Sequence, residues 1–145
     1  MSGFLLDTNV LSEFSRTGRP NEGGTNWLKS ADQEDLFVSV LTVAEILRGI
    51  ELLSAGKRRT HLEQWLQDLM AAFETRLLPV TGAIANHWAI LSAKAQRRGM
   101  TVASLDGLIA ATAAEHELTL VTRNIKDFAD LGISVLNPWA SETGT

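Results

Sequence analysis

The chain has 145 residues, 45% hydrophobic and 21% charged, which suits one globular domain and argues against disorder. It contains no cysteine, so a disulfide framework and a thiolate metal site are excluded, and a reducing compartment fits. The net charge of −4 does not suggest a nucleic-acid binder, but the charge is unevenly spread. Residues 1–50 carry 4 Lys/Arg and 7 Asp/Glu, residues 51–100 carry 7 and 4, and residues 101–145 carry 2 and 6. Acidic outer thirds around a basic middle would let an anionic polymer lie beside an acidic pocket, although composition alone favours ordinary solvated charge. The first apolar run lacks a basic leader and is interrupted by Asp7, so no signal peptide is expected, and no apolar stretch is long enough to span a bilayer. The expected location is the cytoplasm.

In chain order, residues 3–6 read as a short buried strand, and Thr8 to about Ser15 reads as a helix. Residues 16–25, with Gly18, Pro20, Gly23 and Gly24, read as a loop, followed by a short helix around Trp27. Residues 36–40 are rich in β-formers and read as a second strand. Thr42 is expected to open a helix reaching about Ser54, with Val43, Ile46, Leu47, Ile50 and Leu53 at helical spacing and Gly56 as its stop. A second stripe from about Thr60 to Phe73 makes these two helices a hairpin. Residues 76–81 read as an edge strand because of Pro79. The next helix carries Ile84, Trp88, Leu91 and Ala95 and ends at Arg97-Arg98-Gly99, basic residues followed by glycine. Ser104 is expected to cap a helix over 104–117. Strands at 118–122 and 133–137 enclose a short helix over 125–131. This alternation predicts an α/β domain, with a central, mostly parallel sheet of four to five strands flanked by helices. The domain is expected to span 1–138, leaving 139–145 as a loose tail. In such sheets, ligands bind outside the carboxyl ends of the strands, near the point where strand order reverses.

Three carboxylates fall at positions of that kind. Asp7 ends the first strand, where an N-cap role is the structural alternative. Glu45 lies three residues after Thr42, so Thr42 and Glu45 also fit a capping box. Asp106 lies in a first helical turn, where the helix dipole favours an acid. Each structural reading is sufficient for one residue taken alone. Together, however, clustered carboxylates repel and raise one another's pKa, and a cation would relieve them. Hard oxygen ligands in small number suit Mg²⁺ or Mn²⁺, which activate water and neutralise a phosphodiester.

The blocks "LLDTNVLSE", "VLTVAEILRGI", "SLDGLIAATAAEH" and "LVTRNIKDFADLGISVLNPW" resemble, in order and over nearly the whole chain, the four signature blocks of the PIN domain. They are most similar to its toxin branch, the VapC-type and FitB-like ribonucleases of type II toxin–antitoxin pairs. The resemblance implies a single PIN-like domain and a Mg²⁺- or Mn²⁺-dependent endoribonuclease that hydrolyses RNA, with tRNA or rRNA as the expected substrates. It also implies a homodimer, a cognate antitoxin, a higher assembly on operator DNA and no membrane association. Asp7, Glu45 and Asp106 match the acidic site. Asp7 and Asp106 would be the main metal ligands, and Glu45 would complete the cluster. One departure is that Asn124 stands where many relatives have a fourth acid, with Asp127 three residues on. Asn124 is retained in the catalytic set, and Asp127 is a supporting residue.

Thr8, Asn9 and Ser104 could hold water or substrate, or simply cap helices. Arg48, one turn after Glu45, could neutralise it or meet a phosphate. Lys57-Arg58-Arg59 suggests either an RNA- or partner-facing patch or a solvated turn. The three histidines show no ligand spacing, and the four tryptophans are expected in the core or a dimer interface. Two alternatives compete. A catalytically weak PIN-fold binding module is suggested by Asn124. A Mg²⁺-dependent phosphoryl-transfer α/β protein is suggested by the strand-end Asp7.

Overall fold

In the computed structural model, residues 3–15 and 22–140 are described. Strands β1 (Phe4–Leu6), β2 (Leu36–Ser39), β3 (Leu77–Leu78), β4 (Thr119–Val121) and β5 (Val135–Leu136) form one sheet in the order β3-β2-β1-β4-β5. Every pairing is parallel. The helices are α1 (Thr8–Ser15), α2 (Glu22–Ser30), α3 (Val40–Glu51), α4 (Lys57–Ala72), α5 (Gly82–Arg97), α6 (Ser104–Glu115) and α7 (Ile125–Phe128).

Side chains alternate across a strand, so a strand covered on both faces must be apolar throughout. β1 behaves this way. Leu6 packs into a core with Val38 and the α3 and α4 residues Ile46, Ile50 and Leu66. Leu5 packs into the opposite core with Ala95 of α5 and Ile109, Ala110 and Ala113 of α6. β4 divides likewise, Leu120 to the second core and Val121 to the first. Burying each such leucine contributes roughly 2 kcal/mol. This clamps β1 and β4 side by side, Leu6 opposite Val121, and the order of the sheet reverses between them.

Several boundaries differ from expectation, for local reasons. The hydroxyl of Ser39 accepts from Leu41 N at 3.0 Å, so Ser39 caps α3 and the helix starts at Val40. Thr42 is therefore inside the helix, fully buried, and the expected Thr42–Glu45 capping box does not form. α4 begins at Lys57, which places Lys57-Arg58-Arg59 in its first turn. Ala103, not Ser104, is the N-cap of α6. Gly23 and Gly24 lie in α2 rather than in a loop, and residues 16–21 of that expected loop lie outside the described residues.

α5 ends as its sequence suggests. Gly99 adopts φ +77°, Met100 N donates to Ala95 O at 2.9 Å and Gly99 N donates to Gln96 O at 2.9 Å, a paired closure that satisfies carbonyls at a helix end. β3 pairs only with β2, as an edge strand followed by Pro79. The packed domain runs past residue 138. Trp139 is buried in the first core, its backbone N–H donating to Asn137 Oδ1 at 3.0 Å, so the tail boundary expected at 138 falls later. Residues 141–145 lie outside the described residues. Among the described residues, no helix is long and apolar enough to cross a membrane.

Candidate functional site

Asp7 follows β1 directly, and its N–H donates to Val121 O at 3.0 Å, as if the strand continued one residue further. Its carbonyl then accepts from Val10 N and Leu11 N, starting α1. The carboxylate is buried, with 6% exposure. Oδ1 accepts from Thr8 N at 2.8 Å. Oδ2 accepts from the Thr122 hydroxyl at 2.8 Å and from Asn9 Nδ2 at 3.4 Å. Asp7 thus stands at the carboxyl end of β1, tied to the residue just past the end of β4, at the reversal of the sheet.

No sequence motif singles out Thr122. It is fully buried, and its hydroxyl also accepts from Asn9 Nδ2 at 3.2 Å and from Asn124 N at 3.0 Å. Asn9 closes the ring, accepting from Arg123 N at 3.0 Å through Oδ1. The Arg123 guanidinium lies over the Trp139 ring at 4.0 Å, with Nη2 3.8 Å from Glu13 Oε2. No sequence motif singles out the roles of Glu13 and Arg123 either. The only available signal was that Thr122 ends a strand, as Ser39 does, and that Glu13 is an acid on the apolar-rich first helix.

Glu45 reaches the same place from α3. Its Oε1 accepts from the Thr8 hydroxyl at 2.6 Å, so the partner of Glu45 is the residue after Asp7 and not Thr42. Asp106 lies in the first turn of α6, half-buried. The small residues that follow it let α6 approach closely. A Cβ at Gly107 would lie 2.8 Å from Trp88 Cδ1 and 3.0 Å from Nε1 on α5.

The charges of these acids act on one another. Burial pushes the Asp7 carboxyl above its usual range, while hydrogen bonds from Thr122, Thr8 and Asn9 oppose the rise and the Asp127 charge adds to it. The Asp106 carboxyl is pushed up to about 6, first by burial, then by the charges of Asp7, Asp127 and Glu45. Asp127, on the exposed face of α7, therefore acts on both. Asn124 is exposed at the N-cap of α7, and its side chain makes no capping bond. Ser104 and Arg48 are exposed, and among the described hydrogen bonds and ion pairs neither reaches the acids. His87 lies against Glu115, at the other end of α6 from Asp106.

Among the described residues, no three acidic or histidine side chains form a ready-made cation cage. Mg²⁺ and Mn²⁺ need no such cage, since they take one or two carboxylates and complete their shell with water and phosphate. The donor set fits such a hard ion: ionisable oxygens, no cysteine, and carboxyls whose raised proton affinity a cation would relieve.

A five-stranded parallel sheet with acids gathered at its carboxyl edge belongs to a defined class. Residues 4–133 match the PIN domain, and the chain belongs to that family. Within it, the chain is similar to Toxin FitB of Neisseria gonorrhoeae, at 41% identity over 136 residues, covering 93% of this chain and 97% of that one. VapC ribonuclease Y4jK of Sinorhizobium fredii is 35% identical over 136 residues, covering 93% and 96%. The crystal structure of FitAcB from Neisseria gonorrhoeae superposes with a TM-score of 0.88 at 41% identity, covering 94% of this chain and 98% of that chain.

Proposed function

We propose that the chain is the toxin of a type II toxin–antitoxin pair and cleaves RNA as a Mg²⁺- or Mn²⁺-dependent endoribonuclease. The observation that carries this reading is that Thr8 ties Asp7 to Glu45 at the reversal of a PIN-family sheet, within reach of the Asp106 carboxyl that their charges and that of Asp127 push up. Asp7 and Asp106 would hold the cation, with Glu45 beside them. When bound, the ion would neutralise phosphodiester charge and make a water more acidic. The protein's own part is positioning. Thr122 and Thr8 N fix both oxygens of Asp7, and the Thr8 hydroxyl fixes Glu45. Glu45 keeps a second oxygen with which to accept a proton from the attacking water. Asn124 and Asp127 border the cluster, Asn124 as a neutral hydrogen-bonding group where a fourth acid would add more repulsion.

Relatives named as VapC ribonucleases and as Toxin FitB support the reading. So does a structure of FitAB bound to a DNA fragment, with a TM-score of 0.88 at 39% identity, covering 94% of this chain and 95% of that chain. A small antitoxin and assembly on operator DNA, with the toxin dimeric, follow as part of the same proposal, as does a cytoplasmic location. PIN membership favours this reading over the phosphoryl-transfer one. The test is incubation of purified, antitoxin-free protein with total RNA in Mg²⁺, Mn²⁺ or EDTA, beside Asp106→Asn. Discrete fragments that need metal and vanish in the variant are expected. Intact RNA under all conditions with well-folded protein would favour a binding module.

A further inference from the structure

The basic triplet at residues 57–59 divides in the structure. Arg59 is committed to the fold: it donates to Glu51 Oε1 at 3.0 Å, Glu63 Oε2 at 3.3 Å and Leu53 O at 3.1 Å. Arg58 is exposed and takes part in none of the hydrogen bonds or ion pairs among the described residues. It sits in the first turn of α4, where the helix dipole disfavours a cation, so the fold gains nothing from its charge.

Arg58 instead lines a groove of about 330 Å³ between α1, α3 and α4. Thr8 and Glu45, both part of the acidic cluster, line the same groove, and Ile46, Leu62 and Trp65 give it an apolar lining. The groove is therefore continuous with the acidic site. It combines an unpaired guanidinium with apolar and aromatic surface, the pairing that single-stranded nucleic acid uses for phosphate and base. Its volume falls within the range of pockets that take small ligands.

We infer that this groove is a nucleotide subsite: it seats the base next to the scissile bond on its apolar lining, and Arg58 anchors that nucleotide's phosphate. The inference rests on the ribonuclease reading above and names the substrate contact that reading leaves open. An arginine–phosphate contact is charge-assisted and can be bidentate, which gives position as well as affinity. Arg58 is thus a substrate-positioning residue, since it acts on the strand beside the reacting bond.

The test measures binding of a fluorescent, mixed-sequence, single-stranded RNA in EDTA, where cleavage is off, as a function of salt. The proteins are the wild type, Arg58→Gln, Arg58→Lys and Lys57→Gln. Arg58→Gln should bind about tenfold more weakly at low salt and lose about 0.7 from the slope of log affinity against log salt, the signature of one released phosphate contact on a single strand. Arg58→Lys should keep the slope, and Lys57→Gln, outside the groove, should change little. Cleavage by Arg58→Gln in Mg²⁺ should persist with a reduced kcat/KM. Equal losses in Arg58→Gln and Lys57→Gln would overturn the subsite in favour of diffuse surface charge. Unchanged RNA binding by Arg58→Gln would also overturn it, and a weakened hold on a co-expressed antitoxin alongside would assign the groove to a protein. Wild-type protein that neither binds RNA in EDTA nor cleaves it in Mg²⁺ would instead count against the ribonuclease reading itself.

Discussion

Replacing Thr122 by valine removes one hydroxyl and little else, because the two side chains have nearly the same shape. That hydroxyl donates to Asp7 Oδ2 at 2.8 Å and accepts from Asn9 Nδ2 at 3.2 Å and Asn124 N at 3.0 Å. The first bond reaches a carboxylate inside a buried site, where a charge-assisted hydrogen bond contributes about 2 kcal/mol. Asn9 retains its 3.4 Å contact with Asp7, and Asn124 N lies in an exposed loop where water can replace the hydroxyl, so these add little. Thr122→Val should therefore lose about 2 kcal/mol at neutral pH, or about 6–8 °C in Tm for a domain of this size. The sign of the pH dependence follows from the charge. The Thr122 bond holds the folded-state pKa of Asp7 down, so its contribution is full where Asp7 is ionised and shrinks as Asp7 takes up a proton. The deficit should be greatest at neutral pH and smaller in acid. Urea unfolding of both proteins across pH measures it. A variant within about 0.5 kcal/mol of wild type at neutral pH, or a deficit that grows in acid, would refute the claim that Thr122 secures the Asp7 carboxylate.

Asp106→Asn should abolish cleavage while raising Tm in metal-free protein, because it removes a charge disfavoured first by burial and then by the charges of Asp7, Asp127 and Glu45. The folded pKa of Asp106, about 6, lies above its ordinary value of 3.8, so the stability it contributes is complete below the ordinary value and lost as pH rises through the folded one. The Tm advantage of Asp106→Asn should thus open between about pH 4 and pH 7, amounting to about 1 kcal/mol once its solvent-open side is allowed for. Scanning calorimetry across pH in EDTA reads this out, and a constant gap would count against a penalty on the ionised Asp106 carboxyl. Gly107→Ala brings a Cβ to 2.8 Å from Trp88, so despite alanine's better helix propensity it should destabilise by about 1–2 kcal/mol and shift the emission of Trp88. An unchanged Tm and spectrum would show that the indole moves aside freely.

Much of the fold is legible in the sequence because it depends on local pattern. The short apolar runs at 3–6 and 118–122 are strands because both faces of the sheet are covered, and Arg97-Arg98-Gly99 marks a helix end through chemistry that acts within a single turn. The start of α3 shows where pattern becomes ambiguous. Ser39 and Thr42 both offer a capping hydroxyl, and the choice depends on β2 delivering Ser39 to the helix mouth. Once Ser39 takes the cap, Glu45 is free to pair with Thr8, 37 positions away, a contact no local rule contains. Thr122 was illegible for the same reason, since its role exists only because β4 lies beside β1, bringing it to Asp7 across 115 positions. Likewise, the triplet at 57–59 gives no hint that Arg59 binds the fold while Arg58 faces the groove, because helical phase and the position of Glu51 decide that.

Whether the acids at this sheet edge hold a divalent cation is decided by calorimetric titration of Mn²⁺ into antitoxin-free protein, without RNA, beside Asp7→Asn and Asp106→Asn. A bound cation should show as binding at about pH 7 that weakens at about pH 5, as protons compete for Asp106, with a loss of at least about tenfold in either variant. Binding of equal strength in wild type and both variants, or no binding by folded wild-type protein, would contradict it.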